Sequence, residues 1–218
     1  MIQKQETATA KLERDKIGSL LLHYSVPAIV GMVVASLYNI VDRVFIGQGV
    51  GPLAISGLAL TFPLMNLAAA FGSLVGVGAA TLISMRLGQR DYETAQRVLG
   101  NVLVLNLIIG IAFGLVALLF LDPILYFFGA SENTISYARD YMNVILIGNV
   151  ITHMYLGLNA VLRSSGFPKL AMYATLASVV INCVLNPLFI FGFGWGIKGS
   201  AWATVISQVI SLTGQLIH

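Results

Sequence analysis

Long apolar runs cut by short charged stretches are the first pattern along the chain. Runs at 20–46, 53–85, 98–121, 141–162, 170–191 and 199–218 are separated by loops that hold most of the charge. A helix crossing a bilayer takes about 20 apolar residues. The spacing therefore predicts six membrane-spanning helices, preceded by a polar segment at 1–19. Strands fit poorly: the runs are too long for barrel strands and do not alternate apolar with polar. Helices satisfy their own backbone where no water can.

Composition agrees. Hydrophobic residues make up 57% and charged residues 10% of the 218 residues, against about 25% charged in an ordinary soluble domain. Six spans and their loops leave no room for a separate soluble domain. The net charge of +3 is small and spread over loops, so it gives no nucleic-acid face. Lys4, Lys11, Arg14, Lys16, Arg86, Arg90, Arg97, Arg163 and Lys169 fall on one side of a six-span topology; Arg43, Arg139 and Lys198 fall on the other. This bias predicts both termini in the cytoplasm. The lead at 1–16 is mixed in charge and precedes a run too long for a signal peptide.

Soluble-enzyme chemistry has no foothold. Gly76-Val77-Gly78 lacks the third glycine and the strand of a dinucleotide fingerprint, and no phosphate-binding loop is present. His23, His153 and His218 lack metal-ligand spacing, and the single Cys183 excludes an internal disulfide. No cofactor is expected. Gly72 and Gly76 form a small-xxx-small pair that lets another helix approach. Pro27, Pro63 and Pro187 lie inside runs, where each can kink a helix.

The polar residues inside the runs carry the chemistry. Asp42 is the one acid well inside a run. An acid at mid-bilayer costs roughly 2.5 kcal/mol or more, so it faces a cavity or a partner. Tyr38 and Asn39, four and three residues earlier, are expected on its face. Two readings stand: a site for a proton, Na⁺ or a cationic solute, or an interfacial acid paired with Arg43. In the fifth run Thr175, Ser178, Asn182 and Asn186 recur at helical spacing, and Pro187 frees a carbonyl one turn earlier. They line a cavity or bond neighbouring helices. Asn149, Thr152 and His153 form a weaker cluster, read first as helix packing.

These residues sit in recognisable stretches. Tyr38 to Gly47, Gly78 to Gln89, Leu162 to Gly166, Asn182 to Gly192 and Gly199 to Thr204 resemble, in order, the multidrug and toxic compound extrusion family. The resemblance implies an all-α membrane protein of twelve helices in two lobes, of which this chain is like the N-terminal one. It implies export of organic, often cationic, compounds in exchange for H⁺ or Na⁺, in the cell membrane. Asp42 inherits the role of coupling-ion site, with Tyr38, Asn39, Ser178, Asn182 and Asn186 around it. Some members carry an aspartate at the position of Asn186, so the pattern departs here from a two-carboxylate site. The partners implied are organic cations, the lipid bilayer and a second lobe on the same or another polypeptide. A lipid-linked oligosaccharide flippase is the alternative transporter, although it would want several cations in its cavity. A non-transporting membrane subunit is another.

Overall fold

The computed structural model describes residues 16–217, all of whose regular elements are helical. They are α1 (Ile17–Gly49), α2 (Pro52–Gly88), α3 (Tyr92–Leu119), α4 (Leu121–Phe127), α5 (Ile135–Ile147), α6 (Asn149–Ser164), α7 (Pro168–Pro187), a π-helical turn (Leu188–Gly192) and α8 (Gly196–Leu216). Lys4, Lys11, Arg14 and His218, used above for topology and metal spacing, lie outside the described residues.

Local chemistry sets the boundaries. The link between α1 and α2 turns at Gly51, whose φ of 114° suits a residue without Cβ. Pro52 then opens α2 at a position where its missing N–H is no loss. Asp91 caps α3 by accepting the Thr94 backbone N–H at 3.1 Å, and Pro168 opens α7. The chain reverses at the α1–α2, α2–α3, α6–α7 and α7–α8 links, whereas α5 and α6 meet at a bend. One end of the bundle, the near end, therefore gathers the start of α1 and the α2–α3 and α6–α7 links. The far end gathers the α1–α2 link, α4 and the π turn.

The surface is apolar. Ile17 is 85% exposed, Phe127 84% and Leu119 77%, while Asn106, Asn149, His153, Asn182 and Asn186 are buried. This is the arrangement expected where lipid is the outer solvent and polar groups must find partners inside. Among the described residues, four helices are long and apolar enough to cross a membrane: α1, α2, α3 and α7 with its π turn. A fifth follows if α5 and α6, which meet at 59°, count as one broken span. The fourth expected span, at 141–162, falls across this bent pair. The break falls at Gly148, where an added Cβ would lie 2.5 Å from Val205; α8 approaches so closely there that only glycine fits. Helix α8, with 21 residues, falls short of the same hydropathy. Its inward face carries Ser200, Ser207, Ser211 and Gln215, all buried.

The proline expectations divide. Pro27 and Pro63 sit inside α1 and α2, which run on past them. Pro187 ends α7 and hands over to the π turn, because its ring removes one backbone donor from the ladder.

Packing centres on α2, which meets α6 more extensively than any other pair meets. A Cβ on Gly76 would stand 2.6 Å from both the Cα and the carbonyl oxygen of Gly157. The two backbones touch, as the small-residue spacing predicts. Nearby, the His153 ring fills the space over Gly72 and Gly110. Helix α1 is held differently. It leans on α7 and meets α2 only slightly, although two residues join them.

Gly76→Ala must push backbone against backbone, because no flexible side chain can yield. Overpacking of this kind costs about 1–3 kcal/mol. A melting-temperature drop in detergent is expected for Gly76→Ala and not for Gly78→Ala, whose Cβ would meet nothing within 4 Å. The Asp91 cap gives a pH dependence. Its hydrogen bonds from Thr94 hold the carboxyl below its usual range. The stabilisation is therefore full above the ordinary carboxyl pKa and is lost as pH falls through the lowered one. Melting curves of wild type and Asp91→Ala should differ at neutral pH and converge in acid.

Candidate functional site

On α1, Tyr38 and Asp42 lie one turn apart and point toward α7 and α8. Asp42 stands seven residues before Gly49, about 10 Å along the helix from its far end, yet only 6% of it is exposed. Its Oδ1 accepts hydrogen bonds from Asn186 Nδ2 and from Ser200 Oγ, the latter at 2.6 Å. Asn186 also donates to Asn182 Oδ1 at 3.4 Å. Asn182 donates to Thr204 Oγ1 at 3.1 Å. Thr204 gives its single proton to the Ser200 carbonyl at 3.1 Å. Tyr38, 3.0 Å from Thr204 Oγ1, is therefore the donor of that pair.

One carboxylate is thus solvated by neutral groups from two other helices. Burying an ionised group without such donors is prohibitively costly, and the α7 and α8 side chains supply them. Two oxygens in the cluster have no donor among the described residues. They are Asp42 Oδ2, which no hydrogen bond reaches, and the buried Asn186 Oδ1.

The pairing of Asp42 with Arg43 is not present. Arg43 is exposed and stacks its guanidinium 4.5 Å over the Phe62 ring. Asn39 is a correction to the expected shared face. It is exposed and donates to the Ala35 carbonyl of its own helix at 2.8 Å. Only Tyr38 and Asp42 join the cluster. In α7, Asn182 and Asn186 belong to it, while Ser178 lies farther along and bonds Ser207 of α8 at 3.4 Å. Thr175 turns toward α6, accepting from Tyr155 and Asn159 at 3.4 Å each.

Ser200 and Thr204 complete the site and were not singled out as site residues from the sequence. The signal was available: Ser200, Thr204, Ser207, Ser211 and Gln215 recur at three- and four-residue spacing along α8, the pattern that marks the α7 stripe. Asn149 and His153 form a separate, structural knot. His153 Nε2 stands 2.7 Å from the Ala68 carbonyl, so it carries the proton. Asn149 then donates to Gly110 O at 3.0 Å and toward His153 Nδ1 at 3.4 Å. Thr152 donates to Gln208 at 2.6 Å. These bonds tie α2, α3, α6 and α8 together, the packing role expected of them.

A family model named MatE matches residues 27–188, which takes in the α1, α2 and α7 residues described above. The chain belongs to the MatE family. Among curated proteins it is 32% identical to the multidrug export protein MepA of Staphylococcus haemolyticus, over 91% of this chain and 44% of that protein. It is also 32% identical to MepA of Staphylococcus aureus strain MRSA252, over 94% and 46%. Among solved structures it resembles a MATE protein in the bent conformation, with a TM-score of 0.87 and 31% identity over 95% of this chain and 46% of that one. A transporter of the MOP superfamily from Pyrococcus furiosus, described as having reversed binding-pocket polarity, matches with a TM-score of 0.87 and 32% identity, over 93% and 45%. The chain spans about half the length of the relatives it matches.

The two asparagines separate buried cluster from exposed face. Asn186→Leu leaves Asp42 short of a donor and should cost about 1–3 kcal/mol of stability. Asn39→Leu should stay within about 0.5 kcal/mol. Thermal unfolding of both variants in one detergent tests the difference.

Proposed function

We propose that this chain is the N-terminal, six-span lobe of a secondary exporter that expels organic, cationic compounds in exchange for H⁺ or Na⁺, with Asp42 as the coupling-ion site. The observation that carries the reading is a buried carboxylate solvated, among the described residues, only by neutral donors, beside two oxygens that none of those donors reaches. Such a site gains by taking up a proton or a small hard cation. The MepA relatives, named as multidrug export proteins, support the direction of transport. Their length supports a second lobe, on the same polypeptide or on another. In this reading α8 is the sixth span, its moderate hydropathy reflecting the polar face it turns inward. The segment at 1–19 and the end of the lobe lie in the cytoplasm, and the lobe sits in the cell membrane.

Coupling follows from where the ion binds. Asp42 joins α1 to α7 and α8, and α1 has little other packing. A proton or Na⁺ taken up at Oδ2 removes the charge that holds the Ser200 and Asn186 donors on Oδ1 and so changes how α1 sits, with Pro27 as the place to bend. Neutralising the charge also weakens the hold on a cationic solute, so ion entry and solute release are linked. Tyr38, Asn182 and Asn186 are the side chains assigned to the cavity around Asp42. Asn186 brings no second carboxylate, so the cluster holds one negative charge. The flippase alternative has little support, since no cation other than Arg43 lies well within a span and its guanidinium is on Phe62.

Efflux of ethidium from cells carrying the transporter, with the proton and Na⁺ gradients collapsed one at a time, tests the scheme. Collapse of one gradient should stop efflux, and Asp42→Asn should stop it with both gradients intact and the protein still folded. Full resistance in the Asp42→Asn strain would sink the assignment. The coding sequence beyond His218 tests the lobe: six further apolar spans are expected there or in a neighbouring gene.

A further inference from the structure

At the near end a crevice of about 410 Å³ lies between α1 and α7. Its walls are apolar: Leu22, Val26 and Pro27 from α1 and Met172 from α7. Its remaining lining is polar and carries no acid among the described residues: Lys169, His23 and Ser19, with Tyr173 beside them. Lys169 sits in the first turn of α7, which holds no acidic residue, and it forms no ion pair among the described residues. The crevice is therefore amphipathic, with hydrogen-bond donors and a positive charge at the end of the bundle and hydrocarbon toward its middle.

From this we infer that the α1–α7 crevice is a binding site for one anionic phospholipid. The headgroup phosphate is held by Lys169, His23 and Ser19, and an acyl chain fills the space along Leu22, Val26 and Met172. Charge complementarity selects the occupant. A zwitterionic lipid offers the same acyl chain but brings its own cation toward Lys169. Free phosphate meets the donors but leaves the apolar walls empty. The site is independent of Asp42 and of any transport cycle.

The test is lipid retention by purified protein, read by native mass spectrometry, in detergent containing equal amounts of dioleoylphosphatidylglycerol and dioleoylphosphatidylcholine. Wild type should keep one phosphatidylglycerol in preference. Lys169→Glu should weaken that retention on the order of tenfold, since each basic side chain near an anionic surface contributes strongly. Arg90→Glu reverses an exposed charge at the same end of the bundle but outside the crevice, and it should change nothing. Val26→Trp, at a position 48% exposed, should block the acyl portion without disturbing the fold, as an unchanged melting temperature would verify. Three results overturn the site: equal retention of phosphatidylcholine, equal loss on Arg90→Glu, or displacement of the lipid by glycerol phosphate alone.

Discussion

An ionised carboxylate in a protein surrounded by hydrocarbon has to be solvated by the protein, because neither lipid nor bulk water is there to do it. Asp42 meets that demand through a hydroxyl of α8 and an amide of α7. Those donors are in turn fixed by Asn182, Thr204 and Tyr38. The arrangement of α1, α7 and α8 at the far end is inseparable from this chain of hydrogen bonds. A tighter partner, such as a guanidinium, would quench the charge. Neutral donors leave it available while keeping it buried.

The two sides of the lobe are built on different principles. Around α2, α3 and α6, helices approach through glycine, and the polar residues His153 and Asn149 are locked onto backbone carbonyls. Around α1, contact runs mostly along α7, with the polar cluster near one end. A bundle with a tightly packed centre and one lightly held helix can move that helix without unfolding the rest.

Much of this was legible in the residues. The helical class followed from length and charge, a close helix approach, though not its partner, from Gly72 and Gly76, and Asp42, Asn182 and Asn186 from polarity inside apolar runs. What escaped has physical causes. Tyr38 and Asn39 flank Asp42 by about 40° and 60° on opposite sides of the helix, and spacing cannot say on which flank the neighbour lies. The break at Gly148 has no proline to announce it, and the residue that closes on it, Val205, lies 57 residues later. The α8 stripe carried the same periodic signal as α7 but is made of serines and a threonine, which are weak markers singly.

The contact between Gly76 and Gly157 also fixes the phase of two helices against each other. One residue inserted upstream in α2 would turn everything beyond it by about 100° and bring Val75 to face the other backbone, and one deleted would bring Val77. Length can then vary only outside this crossing, in the links and at the helix ends. The middle of the lobe is therefore a stretch of sequence where substitutions are restricted and insertions or deletions are barred.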